Sequence, residues 1–278
     1  MNNEQWTEYL FWNGQSVSKE LPLISGKDRG FLTGEGLFET LLVRQKPLFL
    51  KQHLHRLQKS AIQLGYKEMD WETLAQQLWD WASLDSGRLR ITLSAGNQEG
   101  SPFAPISGPS QILASLSPYT PSVPKFIQVQ TLLQSRSWIH RHKSTSLAET
   151  CYLARQKGEN YEFLLVDPTH QWILEGLSHN FFFFQKKTLC TPALELPILP
   201  GITRAFLLRL WEDRIQEGSF CQNVEMECPF LCNSLIGIVP IHQINGQKTN
   251  GSDSSAFERL QKRYQEFVSE SASASSFC

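Results

Sequence analysis

Lys143 and Glu175 stand 32 positions apart, with a glycine-opened helix start at Gly201-Ile-Thr-Arg204 downstream and Arg56 upstream. A lysine amine condenses with an aldehyde and afterwards moves protons, and an acid can keep a ring nitrogen protonated so that the ring draws in electrons. The first N–H groups of a helix have no intrahelical partner, and its dipole favours an anion there. The N–H groups of Ile202 and Thr203, with the Thr203 hydroxyl, could therefore cradle a phosphate. Together these are the parts needed to hold an aldehyde cofactor carrying a phosphate and a pyridine ring. Each part alone has an ordinary explanation: a surface lysine beside Arg141 and His142, a solvated turn carboxylate, a threonine N-cap, a helix-surface arginine.

The elements that must position these residues follow from the apolar pattern. Residues 9–18 read as a hairpin around Asn13-Gly14. Leu54, Leu57, Ala61 and Leu64 recur at helical spacing over Gln52 to Leu64, with Gly65 as the stop, so Arg56 lies near the start of that helix. Trp71 to Leu84 reads as a second amphipathic helix. Arg88 to Ala95 alternates, with Arg88, Arg90, Thr92 and Ser94 on one face and Leu89, Ile91, Leu93 and Ala95 on the other, as in a half-buried strand. Gln111 to Leu116 is a further strand. Ser117 to Pro124 holds three prolines in eight residues, which predicts a linker.

Beyond it, strands are predicted at 126–132, 163–166, 172–175, 181–184 and 188–190, and helices at 146–156 and 203–214. The Ser/Ala-rich tail from Ser269 is expected to fray. The domain organisation expected is 1–116 as a smaller N-terminal α/β domain, 117–124 as linker and 125–278 as a larger domain.

Bulk properties narrow the function. The chain's 278 residues suffice for two domains, and a net charge of -1 without a basic stripe argues against nucleic acid as a partner. The start, Met-Asn-Asn-Glu-Gln-Trp, lacks the basic and apolar regions of a signal peptide, and no apolar run has spanning length. Cysteines at 151, 190, 221, 228, 232 and 278 form no Cys-x-x-Cys pair. A metal site at Cys221, Cys228 and Cys232 is conceivable, but the spacing fits no usual zinc pattern, so no metal is expected. Dispersed thiols suit a reducing cytoplasm.

The order and spacing of the motifs resemble the class IV (fold type IV) pyridoxal-phosphate enzymes, which include branched-chain and D-amino acid aminotransferases and aminodeoxychorismate lyases. Lys143 resembles the family's Schiff-base lysine. Glu175-Gly-Leu-Ser-His-Asn180 resembles its Glu-Gly-x-x-x-Asn motif, with Glu175 as partner of the pyridine nitrogen. His53-Leu-His-Arg-Leu57 resembles the motif that supplies an arginine, here Arg56, to the phosphate. Asn233-Ser234-Leu235 resembles the second phosphate loop, with the Ser234 hydroxyl in the binding place. Asp28-Arg-Gly and Gly34-Glu-Gly-Leu-Phe-Glu39 resemble the small-domain signature, with Glu35 for the usual aspartate.

The resemblance implies a two-domain α/β (α+β) fold: a smaller N-terminal α/β sandwich and a larger C-terminal barrel-like domain. It further implies pyridoxal 5'-phosphate as cofactor, a small-molecule substrate, and a homodimer with its active site near the interface. Lys143 would be catalytic. Arg56, Lys143, Glu175, Asn180, Ile202, Thr203, Asn233 and Ser234 would hold the cofactor, and Arg90 would face the substrate.

Cys232-Asn-Ser-Leu235, Ala148 where branched-chain enzymes carry tyrosine, and Gly237 where transaminases carry glutamate all tilt toward the lyases. Ala95-Gly96 departs from the lyases' Arg-Gly. The activity implied is conversion of 4-amino-4-deoxychorismate to p-aminobenzoate and pyruvate. The alternatives are a D- or branched-chain amino acid aminotransferase and a non-catalytic protein that binds the cofactor.

Overall fold

The computed structural model describes residues 9–18, 23–83, 85–122, 124–158, 161–249 and 255–273. The chain forms two compact units. The first takes in 1–120, 142–146 and 271–278, and the second 121–141 and 147–270. Lys143 thus belongs with the first unit, and Glu175 with the second. Both units mix helices and strands, as the fold class expected from the sequence requires. Among the described residues no helix is long and apolar enough to cross a membrane.

The first unit contains β1 (Tyr9–Trp12), β2 (Gln15–Val17), α1 (Arg29–Thr33), β3 (Gly36–Arg44), β4 (Lys46–Pro47), α2 (Leu50–Gln63), α3 (Trp71–Ala82), β5 (Gly87–Ser94) and β6 (Gln111–Ser117). Its sheet runs β2-β1-β6-β5-β3-β4, and every pairing is antiparallel. The β1–β2 turn uses Asn13 and Gly14 at φ 45 and 95, the left-handed pair that a two-residue hairpin favours. Leu37, Leu41 and Val43 of β3 and Leu89, Ile91 and Leu93 of β5 pack against Leu54 and Leu57 of α2 and Leu74 and Leu78 of α3. The alternation read in β5 therefore holds. Its apolar residues face the helices, and Arg88 and Arg90 lie on the other side of the sheet.

The second unit contains β7 (Ile127–Leu133), a 3-10 turn (Trp138–Arg141), α4 (Ala148–Gln156), β8 (Tyr161–Val166), β9 (Ile173–Gly176), β10 (Asn180–Gln185), β11 (Thr188–Pro192), α5 (Ile202–Leu210), β12 (Ile215–Gly218), β13 (Glu227–Asn233), β14 (Gly237–Ile244), β15 (Gln247–Lys248) and, up to Glu270, α6 (Ser255–Ser273). The sheet path is β12-β11-β10-β13-β14-β7-β8-β9, with β15 added at β14. It curls, since β9 also lies against β10 and β11. Both faces of β10 are buried. Phe181 and Phe183 enter one apolar cluster and Phe182 and Phe184 another, which explains four consecutive phenylalanines in one strand.

Among the differences from the sequence reading, two concern helices. The helix expected to reach Arg214 ends at Leu210, where Trp211 turns extended and is buried against Phe184. The chain then adds β12 parallel to β11. The C-terminal region forms α6, to which the sequence reading gave no helix, and the helix runs on to Ser273. Phe257 and Leu260 anchor it to the cluster around Phe230.

Candidate active site

In the first unit, residues 143–145 lie along the edge of β3. Phe38 N–H donates to the Lys143 carbonyl at 2.8 Å and Thr145 N–H to the Gly36 carbonyl at 2.8 Å. The glycines of Gly34-Glu-Gly36 make room for this approach, since a Cβ at either would come within 2.5 Å of the Ser146 or Thr145 hydroxyl. The side chains alternate along the segment. His142 Nδ1 lies 3.0 Å from Ser60 Oγ on α2, while Lys143 Nζ lies 4.5 Å from the centroid of the Phe38 ring.

The same ring carries a second cation. The guanidinium carbon of Arg90 sits 4.0 Å from the Phe38 centroid. Burial pushes the Arg90 guanidinium below its ordinary range, and the like charge of Arg88 adds to the effect. Among the described residues Arg90 forms no ion pair. A half-buried guanidinium with no carboxylate on it among the described residues suits an anionic ligand.

Arg56 is fixed from within the unit. Its Nε and Nη2 donate to Glu39 at 2.8 and 2.6 Å, and His53 Nδ1 lies 2.7 Å from the same carboxylate. Burial pushes the Glu39 carboxyl up, but Arg56 and His53 outweigh it and bring it down to about 2. Burial also holds His53 below its usual range, against the pull of Glu39. Phe38 and Glu39 are consecutive in β3, so one strand anchors both Lys143 and Arg56. The sequence reading passed over Glu39 and His53 as functional groups, although both stand inside motifs it singled out.

The second unit gathers the other expected residues. Asn180 Nδ2 donates to Glu175 Oε2 at 3.1 Å and to the Leu199 carbonyl at 2.9 Å, and Leu199 N–H donates to Glu175 Oε2 at 3.1 Å. The other carboxylate oxygen accepts from Arg136 Nη1, and both side chains of this ion pair are buried. Arg136 was not anticipated. It lies seven residues before Lys143, and nothing in the residues around it marked it out.

Helix α5 starts at Gly201, extended at φ -66 and ψ 140, with no side-chain cap. A Cβ on Gly201 would fall 1.8 Å from Asn180 Oδ1, so the helix start fits only around glycine. Thr203 is buried, and its hydroxyl lies 3.5 Å from Ser234 Oγ. Structure thus brings the two hydroxyls expected at a phosphate together at an uncapped helix N-terminus. Asn233 shapes the second loop: its Oδ1 accepts from Leu235 and Ile236 N–H at 3.0 Å each, and its Nδ2 donates to the Ser178 carbonyl at 3.3 Å. Arg204 is turned to the Pro192 carbonyl at 2.8 Å and to Glu217. Cys228 and Cys232 are buried, and Cys221 is exposed; all three are free thiols.

Comparison with known proteins identifies the family. Residues 36–244 match the model of the amino-transferase class IV family. The chain belongs to that family. Aminodeoxychorismate lyase of Bacillus subtilis is 26% identical over 91% of this chain and 94% of its own. D-alanine aminotransferase of Staphylococcus aureus is 22% identical over 94% of this chain and 98% of its own. A solved structure from Legionella pneumophila, provisionally described as 4-amino-4-deoxychorismate lyase, superposes with a TM-score of 0.79 at 28% identity, covering 91% of this chain and 97% of that one.

Proposed function

We propose that the chain is a 4-amino-4-deoxychorismate lyase that releases p-aminobenzoate and pyruvate, with pyridoxal 5'-phosphate as its cofactor. The residues present fit that cofactor. The uncapped start of α5, with the Thr203 and Ser234 hydroxyls 3.5 Å apart, offers neutral donors and a positive helix end to a phosphate. The Gly201–Asn180 contact leaves no space for a side chain at that helix start. The buried Glu175 carboxylate, held in place by Asn180, Leu199 N–H and Arg136, supports its assignment as the partner of a cationic ring nitrogen.

The chemistry that the cofactor supplies when bound is an electrophilic carbon for the substrate amine and a ring that accepts the electron pair of a broken bond. Lys143 Nζ is assigned the covalent attachment and, once freed, removal of the proton from the amine-bearing carbon. Glu175 keeps the ring nitrogen's proton in place. Ile202 and Thr203 N–H, Thr203 Oγ1 and Ser234 Oγ bind the phosphate, with Arg56 as a further cation. Asn180 orients Glu175, and Arg90 receives a substrate carboxylate.

The observation that carries the substrate class is the placement of Arg90 and Lys143 on one aromatic ring, 4.0 and 4.5 Å from its centroid. A guanidinium able to receive a carboxylate and the amine assigned the chemistry thus contact the same ring. The lyase reading is supported over transamination by Gly237. Its φ is +69, and a Cβ there would come within 2.7 Å of the Tyr264 ring, so the glutamate that transaminases carry at this place has no room. The likeness to D-alanine aminotransferase keeps amino-acid transamination as the second reading. The proposal includes a homodimer, tested by light scattering at working concentration. A paired assay on purified protein tests the reaction: aminodeoxychorismate to p-aminobenzoate, against an amino acid with 2-oxoglutarate. Product in the first arm alone supports the lyase, and product in the second arm alone replaces it with the aminotransferase.

A further inference from the structure

The turn from Gly176 to His179 joins Glu175 to Asn180, and a contact with the buried Glu162 carboxylate holds it. Glu162 of β8 is 3% exposed. Its carboxylate lies 2.9 Å from Lys157 Nζ, 3.3 Å from His179 Nδ1 and 2.9 Å from the Phe163 N–H that donates to it. Burial pushes the Glu162 carboxyl up, while His179 and Lys157 together bring it down to about 2. The His179 carbonyl accepts from Gly176 N–H at 2.7 Å, which closes the turn. A Cβ on Gly176 would stand 3.3 Å from His179 Cβ and 3.5 Å from Glu162 Cγ. The three residues are therefore packed against one another. The Ser178 carbonyl accepts from Asn233 Nδ2 at 3.3 Å, so the same turn is tied to the loop that presents Ser234.

Two assigned cofactor ligands, Glu175 and Ser234, and Asn180, which orients Glu175, thus depend on four residues of chain. Glu175 enters the turn, Asn180 leaves it, and Ser234 is joined to it through Asn233. We infer that Glu162 and His179 are positioning residues for the cofactor: their contact fixes the Gly176–His179 turn and thereby the orientation of the Glu175 carboxylate and the Asn180 amide. The inference rests on the reading that these residues hold pyridoxal 5'-phosphate. Neither Glu162 nor His179 is assigned a contact with the cofactor. Ser178 Oγ also lies 3.2 Å from His179 Nδ1. A neutral imidazole carrying its proton on Nδ1 still donates to Glu162, so the device needs no change of charge.

The test is titration of full-length apoprotein with pyridoxal 5'-phosphate, read by fluorescence, beside the melting temperature of each apoprotein. The variants are Glu162→Gln, His179→Leu, the double variant and His179→Asn, whose amide stands in for the lost Nδ1–H. Loss of a charge-assisted buried hydrogen bond predicts roughly tenfold weaker binding for Glu162→Gln and for His179→Leu. The double variant should be no weaker than the worse single one, because both remove one contact. His179→Asn should bind within about threefold of the original chain, the scale of a retained hydrogen bond.

Melting temperatures that fall while cofactor binding stays unchanged would reduce the pair to a structural tie and overturn the inference. Multiplying losses in the double variant would overturn it too. If Glu162→Gln fails to fold, the comparison of His179→Leu with His179→Asn decides alone. Failure of the original apoprotein to bind the cofactor sinks the underlying reading, whereas equal binding by original and variants sinks only this inference.

Discussion

Arg90 and Lys143 share the ring of Phe38, the guanidinium carbon 4.0 Å and the ammonium nitrogen 4.5 Å from its centroid. Arg90 is half-buried and has no ion pair among the described residues, so a bound carboxylate would supply its counter-charge. Arg90→Gln should therefore raise KM for a carboxylate substrate by about 10- to 100-fold, the range of a charge-assisted hydrogen bond, with a smaller fall in kcat. Arg90→Lys should recover part of the loss. Steady-state kinetics with equal cofactor loading checks this, and an unchanged KM would remove Arg90 from the substrate.

Glu175→Gln keeps the shape of the side chain and its links to Asn180 and Leu199 but removes the charge that faces Arg136. Turnover should fall by about 10²- to 10³-fold, comparable with loss of one oriented electrostatic contact in an active site. Cofactor should still bind. The apoprotein should also lose stability, since Arg136 would be left buried without its counter-ion. Arg136→Leu in the same background should return part of that stability. A Glu175→Gln protein with unaltered rate would show that the carboxylate does not act on the ring.

Gly237→Glu tests whether the transaminase residue can be accommodated. The backbone is left-handed at φ +69 and a Cβ would press on Tyr264 at 2.7 Å. Strain of this kind costs about 1–3 kcal/mol. Thermal or urea unfolding should show that loss, and adding Tyr264→Ala should relieve the steric part only. A Gly237→Glu protein as stable as the original would show that α6 yields easily, and would weaken the argument against transamination.

Stability should fall in two stages on acidification. Burial holds His53 below its ordinary 6.5, so below that pH the unfolded chain takes a proton that the folded chain refuses, and stability declines. Glu39 and Glu162 are brought from 4.5 to about 2, so their contribution is present above pH 4.5 and is lost as the pH falls from there through 2. Urea unfolding at a series of pH values should show a slope beginning near 6.5 that steepens below 4.5. Glu39→Gln should flatten the lower stage. A stability unchanged between pH 7 and 4 would contradict the burial of His53.

Much of this was legible in the sequence because local physics dictated it. The Asn13-Gly14 turn, the helix carrying Arg56 and the alternation of β5 each announce themselves by turn chemistry or periodicity. Gly201 is a clear case: it reads as a helix start, and the structure shows that Asn180 leaves room for nothing larger. What escaped the sequence is long-range. Arg136 meets Glu175 across 39 positions and Glu39 meets Arg56 across 17, and no periodicity connects them. Strand β3 went unread because Gly36 to Arg44 is buried along almost its whole length, so it lacks a polar alternation. The early end of α5 follows from Trp211, whose burial against Phe184 outweighs the helical pattern that continues beyond it.

The central claim is that this chain cleaves aminodeoxychorismate at a lysine-held cofactor. The most direct measurement incubates the cofactor-loaded protein with aminodeoxychorismate and no keto acid, following p-aminobenzoate and pyruvate, with Lys143→Ala as the control. The account predicts both products in equal amounts over many turnovers, and none from Lys143→Ala. Absence of p-aminobenzoate, while D-alanine or leucine converts the cofactor to its amine form and 2-oxoglutarate restores it, would contradict the lyase and establish an aminotransferase instead.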